Sequence, residues 1–156
     1  MTTPIEIRMP GTPKPWINAI VRAGLAVPGL RGYFGRVFTV ITVTGAKTGK
    51  RYSVPVAYRT VAGRHFVFSQ TKRRWWRNVR TNPDVELLID GKTVRGSATL
   101  ASGEEAYPLV KKHLEESPRV AKYYRIPTDP DGKVAPEHVR QLLELLIMID
   151  IQPSQS

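Results

Sequence analysis

The chain has 156 residues, the length of one domain. A domain of this size buries about 68–70% of the surface that its unfolded chain exposes, without disulfide or metal cross-links. It has no cysteine and three scattered histidines, which excludes disulfides and thiolate metal sites and gives no spacing for any other metal centre. No run approaches the ~20 apolar residues that span a bilayer, so we expect a cytoplasmic protein, with peripheral contact at the inner membrane face as the alternative.

The formal net charge of +11 is concentrated in the first half of the chain. Between Ile7 and Pro83 there is no Asp or Glu, against fifteen Lys and Arg. From Asp84 onward, nine Lys and Arg meet twelve Asp and Glu. Because a positive region of this size repels itself, it indicates an anionic partner: nucleic acid, an anionic membrane surface or a polyanionic small molecule.

The sequence of the first 27 residues predicts an irregular N-terminal segment followed by a helix. Residues 1–15 contain four prolines and little periodicity. Residues 16–27 carry apolar side chains at helical spacing and predict a short amphipathic helix. We expect this helix to pack against the core, and weak docking on a membrane surface is the alternative.

Three strands on short connections predict an antiparallel meander. A β-branched, alternating stretch indicates a strand over Val37–Thr44, followed by strands over Tyr52–Thr60 and His65–Ser69. Pro55 lies inside the second strand and has no N–H for a ladder. That strand should therefore lie at the edge of the sheet or carry a bulge at Pro55. Either arrangement leaves backbone groups beside Pro55 unpaired, so that they can contact a ligand.

The remaining chain predicts helices, a hairpin and a last strand. In order, these are a helix over Lys72–Thr81, hairpin strands over Val85–Asp90 and Thr93–Leu100, a helix from Ser102 to about Glu116, a helical turn over Val120–Arg125, a helix over His138–Leu143 begun by Pro136, and an alternating strand over Leu145–Ile151. Six mostly antiparallel strands with peripheral helices predict a mainly β (α+β) fold, a small closed or split barrel, as a single domain over residues 1–156.

A basic turn bracketed by two glycines lies between the first two strands. Gly45 and Gly49 can adopt backbone conformations closed to other residues, so consecutive amides can point at one anion while Lys47, Lys50 and Arg51 supply charge. The turn alone is equally typical of a hairpin with solvated lysines. Since no nucleophile-elbow, P-loop or paired-carboxylate signature is present, the sequence favours chemistry borrowed from an anionic cofactor.

Three segments together resemble a known family. The turn Thr44–Gly49, the strand residues Val54–Val56 and the segment Trp75–Pro83 are similar to the deazaflavin (F420)-dependent nitroreductases, which are split β-barrel, FMN-binding-like reductases. The similarity covers about residues 38–100 and extends more weakly to residue 151. It implies hydride transfer from reduced coenzyme F420 to a small-molecule acceptor: a nitro compound, a quinone or an activated alkene (enone).

The resemblance also implies a site. Its cofactor-binding residues would be Lys47, Thr48, Gly49, Arg51, Val54, Pro55, Val56, Ser69, Trp75 and Asn78. The turn would hold the phosphate, Arg51 would help with the anionic tail, and the proline strand would line the deazaflavin ring. Ser69 and Tyr123 would be the catalytic residues beside the acceptor, with Tyr124 or solvent as alternative proton sources. Ala57 stands where the nitroreductases have an aromatic residue that faces the substrate. The identity of the acceptor is therefore left open.

Other functions stay open at this point. Trp75, Trp76 and Arg77 could form a stacking platform in a nucleic-acid-binding barrel, although no nucleic acid is expected beside the coenzyme. A non-catalytic lipid or fatty-acid carrier on the same barrel is a second alternative, and FMN is the alternative cofactor. Taken singly, the tryptophans are typical core residues, and Asn78 is typical of a backbone bridge. A monomer is favoured over a homodimer.

Overall fold

The computed structural model describes residues 5–7, 38–101 and 103–154, so the predicted helix over 16–27 lies outside the described residues. This part of the chain contains six strands: β1 (Phe38–Thr44), β2 (Arg51–Val61), β3 (Arg64–Gln70), β4 (Asp84–Ile89), β5 (Lys92–Ala101) and β6 (Leu146–Pro153). They form a closed barrel in the order β1-β2-β3-β6-β5-β4. The predicted mainly β barrel with peripheral helices is therefore confirmed.

The predicted meander is present, but no bulge forms at Pro55. β1 and β2 are antiparallel in unbroken register from Phe38↔Ala57 to Thr44↔Arg51, with Val40 opposite Pro55. The ladder between β2 and β3 covers Ala57–Val61, so it begins two residues after the proline. Pro55 therefore lies where β2 is held by the β1 ladder, and its missing N–H does not interrupt the β3 ladder.

Two tight turns have the backbone that the sequence predicts. Ala62 and Gly63 have φ values of 52° and 78°, and Asp90 and Gly91 have φ values of 51° and 74°. Two consecutive left-handed residues are typical of the two-residue turns that match the twist of antiparallel strands. These turns fix the registers of β2 with β3 and of β4 with β5.

The helices are short. They are a 3₁₀ turn at Trp75–Arg77, α1 (Asn78–Thr81), a second 3₁₀ turn at Gly103–Glu105, α2 (Tyr107–Glu116), α3 (Pro118–Tyr123) and α4 (Pro136–Leu143). The helix predicted from Lys72 thus begins later, at Trp75. The predicted alternation in the last strand is wrong, because four consecutive residues from Leu146 to Ile149 are buried and both faces of β6 are covered.

Two compact units make up the described structure. The barrel unit contains residues 38–69, 73–100 and 148–154, and its most deeply buried side chains include Ile41, Val43, Val67, Leu87, Ile149 and Ile151. The helical unit contains residues 5–7, 70–72 and the described part of 101–147, and its core includes Ala106, Val110, Leu114, Ala121, Val139 and Leu142. The single domain over 1–156 stays a prediction.

Candidate functional site

The turn between β1 and β2 is closed by its own backbone. The Gly45 N–H donates to the Lys50 carbonyl (2.8 Å), and the Gly49 N–H donates to the Gly45 carbonyl (3.0 Å). The Lys50 N–H donates to Thr48 Oγ1 at 3.3 Å. Gly49 has a φ of +70°, a region that favours glycine. A Cβ on Gly45 would lie 3.2 Å from Thr48 Oγ1 and 3.3 Å from the Lys50 carbonyl oxygen, so a side chain there would displace one of these atoms by a few tenths of an ångström.

Asn78 ties the start of α1 to this turn. Its Oδ1 accepts the Ala46 N–H at 2.9 Å. Its Nδ2 donates to the Trp75 carbonyl at 2.9 Å and also to the Tyr52 hydroxyl. All these contacts lie within the barrel unit. The carboxamide of Asn78 is thus engaged by protein groups, as in the backbone-bridge alternative, and a direct contact with the cofactor stays a prediction.

Two consecutive amides of the turn remain available. Between Gly45 and Lys50, four backbone N–H groups donate within the protein: those of Gly45, Ala46, Gly49 and Lys50. The N–H groups of Lys47 and Thr48 have no acceptor in the described part of the chain. Lys47 and Lys50 are exposed, and neither forms an ion pair with a described residue. Adjacent unused amides beside two ammonium groups suit an anion.

The register divides the predicted β2 residues between two faces. Residues directly opposite one another in an antiparallel pair share a face. The relevant pairs are Tyr52 with Val43, Val54 with Ile41, and Val56 with Thr39. Because Thr39, Ile41 and Val43 are almost completely buried, Val54 and Val56 lie on the buried face, and Tyr52 lies at its exposed end. Arg51 and Pro55 lie on the opposite face.

Arg51 is paired on that opposite face. Its Nη2 lies 2.8 Å from Glu86 Oε2, and the Nε of Arg95 lies 3.4 Å from Glu86 Oε1. The Arg51 side chain is half-exposed, so solvent screens this pair, but a carboxylate already partly offsets its charge. The structure thus brings Lys47, Thr48 and Gly49 together and directs Arg51 towards Glu86 instead.

Trp75 and Trp76 are both buried, with 8% and 6% of their surface exposed. The guanidinium carbons of Arg77 and Arg80 lie 5.6 Å and 5.2 Å from the Trp76 ring centroid, distances typical of cation–π contacts. A stacking platform for bases needs exposed ring faces. The burial of both rings therefore removes the observation on which the nucleic-acid alternative depended.

The two predicted catalytic residues belong to different compact units. Ser69 is buried in the barrel unit, and its Oγ has no hydrogen-bond partner among the described residues. Tyr123 ends α3 in the helical unit, is 43% exposed, and makes an edge contact with Tyr124 at 5.2 Å between ring centroids. Buried hydroxyls usually have a partner, which makes the Ser69 Oγ a candidate for contact with a ligand.

Sequence reasoning missed Tyr52 and Glu86. Strand alternation places Tyr52 on the face of Val54 and Val56 once the strand is predicted. Nothing in the local sequence around Glu86 identifies Arg51 as its partner, since the pairing depends on the order of strands in the barrel.

No helix in the described ranges is long and apolar enough to cross a membrane. The same ranges contain no group of three or more His, Asp or Glu side chains that could hold a metal ion.

Comparisons with known proteins give a family match. The family model described as F420H(2)-dependent quinone reductase matches residues 25–131. Comparison with curated proteins gave no match.

Several solved structures are similar. An F420-H2 dependent reductase (FDR-A) is 24% identical, with a TM-score of 0.52 over 75% of this chain and 95% of that one. A structure described as a domain-swapped dimer is 20% identical, with a TM-score of 0.53 over 88% and 97%. A putative pyridoxamine 5'-phosphate oxidase from Listeria innocua is 16% identical, with a TM-score of 0.50 over 89% and 94%. At these identities, the likeness shows the split-barrel fold alone.

Proposed function

Because the chain belongs to the F420H(2)-dependent quinone reductase family, we propose that it transfers hydride from reduced coenzyme F420 to a quinone, with nitro compounds and enones as further acceptors. The family match confirms the predicted cofactor and makes the chain an F420-dependent oxidoreductase. The acceptor is the part of the proposal that needs experiment.

The β1–β2 turn is the observation that carries the proposal. Its backbone is closed by internal hydrogen bonds, yet the Lys47 and Thr48 amides and two lysine ammonium groups remain available on the surface. The coenzyme has a phosphodiester and an oligoglutamate tail. Charge-assisted hydrogen bonds from amides and ammonium groups suit the phosphodiester, and the surplus of positive charge attracts the tail over longer distances.

We assign the remaining predicted contacts by their place on β2. Val54 and Val56 share the buried face, and the backbone beside Pro55 lies between them. We propose that this stretch lines the flat apolar ring through its backbone, with Trp75, which is 8% exposed, adding only a small contact. Arg51, paired with Glu86, would add charge at longer range.

Reduced deazaflavin supplies a hydride when it is bound, so the protein has to orient the acceptor and stabilise negative charge that develops on its oxygen. We propose that the Ser69 hydroxyl, which has no partner among the described residues, donates a hydrogen bond to that oxygen. We propose Tyr123, with its exposed phenol, as the proton donor.

The test is oxidation of reduced coenzyme F420 with menadione as acceptor, followed by absorbance, together with coenzyme titration by tryptophan fluorescence at low salt. Lys47→Ala should weaken binding about tenfold and raise KM while it changes kcat less, because it removes a charge-assisted contact that is not part of the hydride step. Lys92→Ala, which removes the same charge from the start of β5, is the matched control. Absence of coenzyme binding by the wild type would contradict the proposal.

A further inference from the structure

We propose that Tyr52 is a further binding residue of this site, and that its hydroxyl donates a hydrogen bond to the anion held by the Lys47 and Thr48 amides. The inference rests on the proposed function for the source of that anion, which is the coenzyme. Tyr52 is suited to this role by its hydrogen bond, its packing and its face of β2.

The hydroxyl of Tyr52 has an unused hydrogen. Asn78 Nδ2 donates to the Tyr52 oxygen, so the oxygen acts as the acceptor in that bond. No described residue accepts the hydroxyl hydrogen of Tyr52. Since a phenol can accept and donate at once, this leaves one oriented donor.

The same hydroxyl lies beside the turn. The Asn78 carboxamide that donates to Tyr52 also accepts the Ala46 N–H through Oδ1 at 2.9 Å. The ring edge of Tyr52 lies next to the turn. A Cβ built on Gly45 would be 3.7 Å from the Cε1 of Tyr52. The Asn78 side chain thus links the Tyr52 hydroxyl to Ala46, the residue before Lys47.

Tyr52 is also the side chain that the start of β2 directs to the relevant face. It shares that face with Val54 and Val56, whereas Arg51 faces Glu86 on the other side. Tyr52 lies at the exposed end of that face, next to the turn.

The protonation state of Tyr52 suits a donor. Burial raises the pKa of Tyr52 above its ordinary value of 10.0, so the phenol stays neutral at physiological pH and does not repel an anion. A neutral donor also contributes no long-range attraction. Its contribution to affinity should therefore be the same at low and at high salt, unlike that of a lysine.

The experiment compares Tyr52→Phe with Lys47→Ala and Tyr107→Phe in titrations with oxidised coenzyme F420 at low and high salt. Tyr52→Phe keeps the ring against Gly45 and removes only the hydroxyl. It should weaken binding about tenfold at both salt concentrations, and raise KM with kcat nearly unchanged. Tyr107→Phe, the same change at a ring that packs on Arg140, should bind as the wild type does.

The outcomes separate this inference from the proposed function. Binding by Tyr52→Phe within twofold of the wild type, while Lys47→Ala weakens it, would overturn the role of Tyr52 and leave the proposed function intact. No binding by the wild type would overturn both. If Tyr52→Phe does not fold, the ¹³Cζ resonance of Tyr52 in the wild type decides: it should shift when coenzyme is added, and an unchanged resonance at saturation would overturn the inference.

Discussion

The turn at Gly45–Lys50 and the loop at Asp129–Lys133 have similar hydrogen bonds but use different acceptors. In the first, the Lys50 N–H donates to Thr48 Oγ1, a neutral hydroxyl two residues earlier. In the second, the Asp131 and Lys133 N–H groups both donate to Asp129 Oδ1, at 2.9 Å and 2.8 Å. The loop therefore carries its own anion, whereas the turn has none.

This difference explains why only one of them suits an external anion. Backbone amides that already donate to an internal carboxylate have no free hydrogen, and the carboxylate repels a second negative charge. In the turn, the Lys47 and Thr48 amides are unused by described residues, and no carboxylate lies in the sequence between Ile7 and Pro83. Giving the turn an anion should therefore remove this difference, and removing the groups that hold each structure should affect each one separately.

The largest effect is expected from Thr48→Asp, which gives the turn the acidic residue that the loop has. The new carboxylate should accept the Lys50 N–H, as Thr48 Oγ1 does now, and repel the coenzyme. Because opposing like charges cost several kcal/mol, affinity for coenzyme F420 should fall at least about a hundredfold in calorimetric titration. The neutral Thr48→Asn is the control. Equal affinities of the two variants would mean that the anion binds elsewhere.

A smaller effect is expected from Asn78→Ala, which removes the side chain that holds the turn. The Ala46 N–H loses its acceptor, and the Trp75 carbonyl and Tyr52 hydroxyl lose their donor. The free energy of unfolding should fall by about 2 kcal/mol in urea denaturation, given about 1 kcal/mol for each well-made bond and partial replacement by water. Asn82→Ala should cost less, since the side chain of Asn82 makes a single long bond of 3.5 Å, to the Thr44 carbonyl. A reversed order of the two variants would contradict this account of the turn.

The smallest effect is expected from Asp129→Ala. It removes the acceptor of two exposed N–H groups, which water can replace in part, so the free energy of unfolding should fall by about 1 kcal/mol. Coenzyme affinity should not change. Asp131→Ala keeps both hydrogen bonds and is the stability control. A change in coenzyme affinity in Asp129→Ala would show that the two structures do not act separately.

Local sequence was sufficient for most of the fold. The Ala62-Gly63 and Asp90-Gly91 turns, together with alternating β-branched residues, place five strands to within one or two residues of where the structure has them. Burial on both faces of β6 was not predictable from its own pattern, because it depends on what packs against each side. The start of the helix at Trp75 rather than Lys72 was not predictable either, because no capping residue marks it: Arg74 at the N-cap makes no side-chain hydrogen bond.

The residues of the candidate site could be predicted from the sequence, but most of the contacts between them could not. The glycines and lysines of the turn indicate an anion site by residue type alone. The contact of Asn78 with Ala46 spans 32 residues, and the pairing of Arg51 with Glu86 joins β2 to β4. Both depend on where the helix at Asn78 and strand β4 lie relative to β1, which sequence periodicity does not specify. The resemblance gave Asn78 as a cofactor contact, whereas its observed bonds describe a residue that holds the turn in place.

The most direct test of the anion site is an amide NMR titration of the wild-type chain with oxidised coenzyme F420. The Lys47 and Thr48 amide resonances should shift most within the two compared segments, and those of Asp131 and Lys133 should stay unchanged at saturation. Saturable binding with unmoved Lys47 and Thr48 amides would contradict the account.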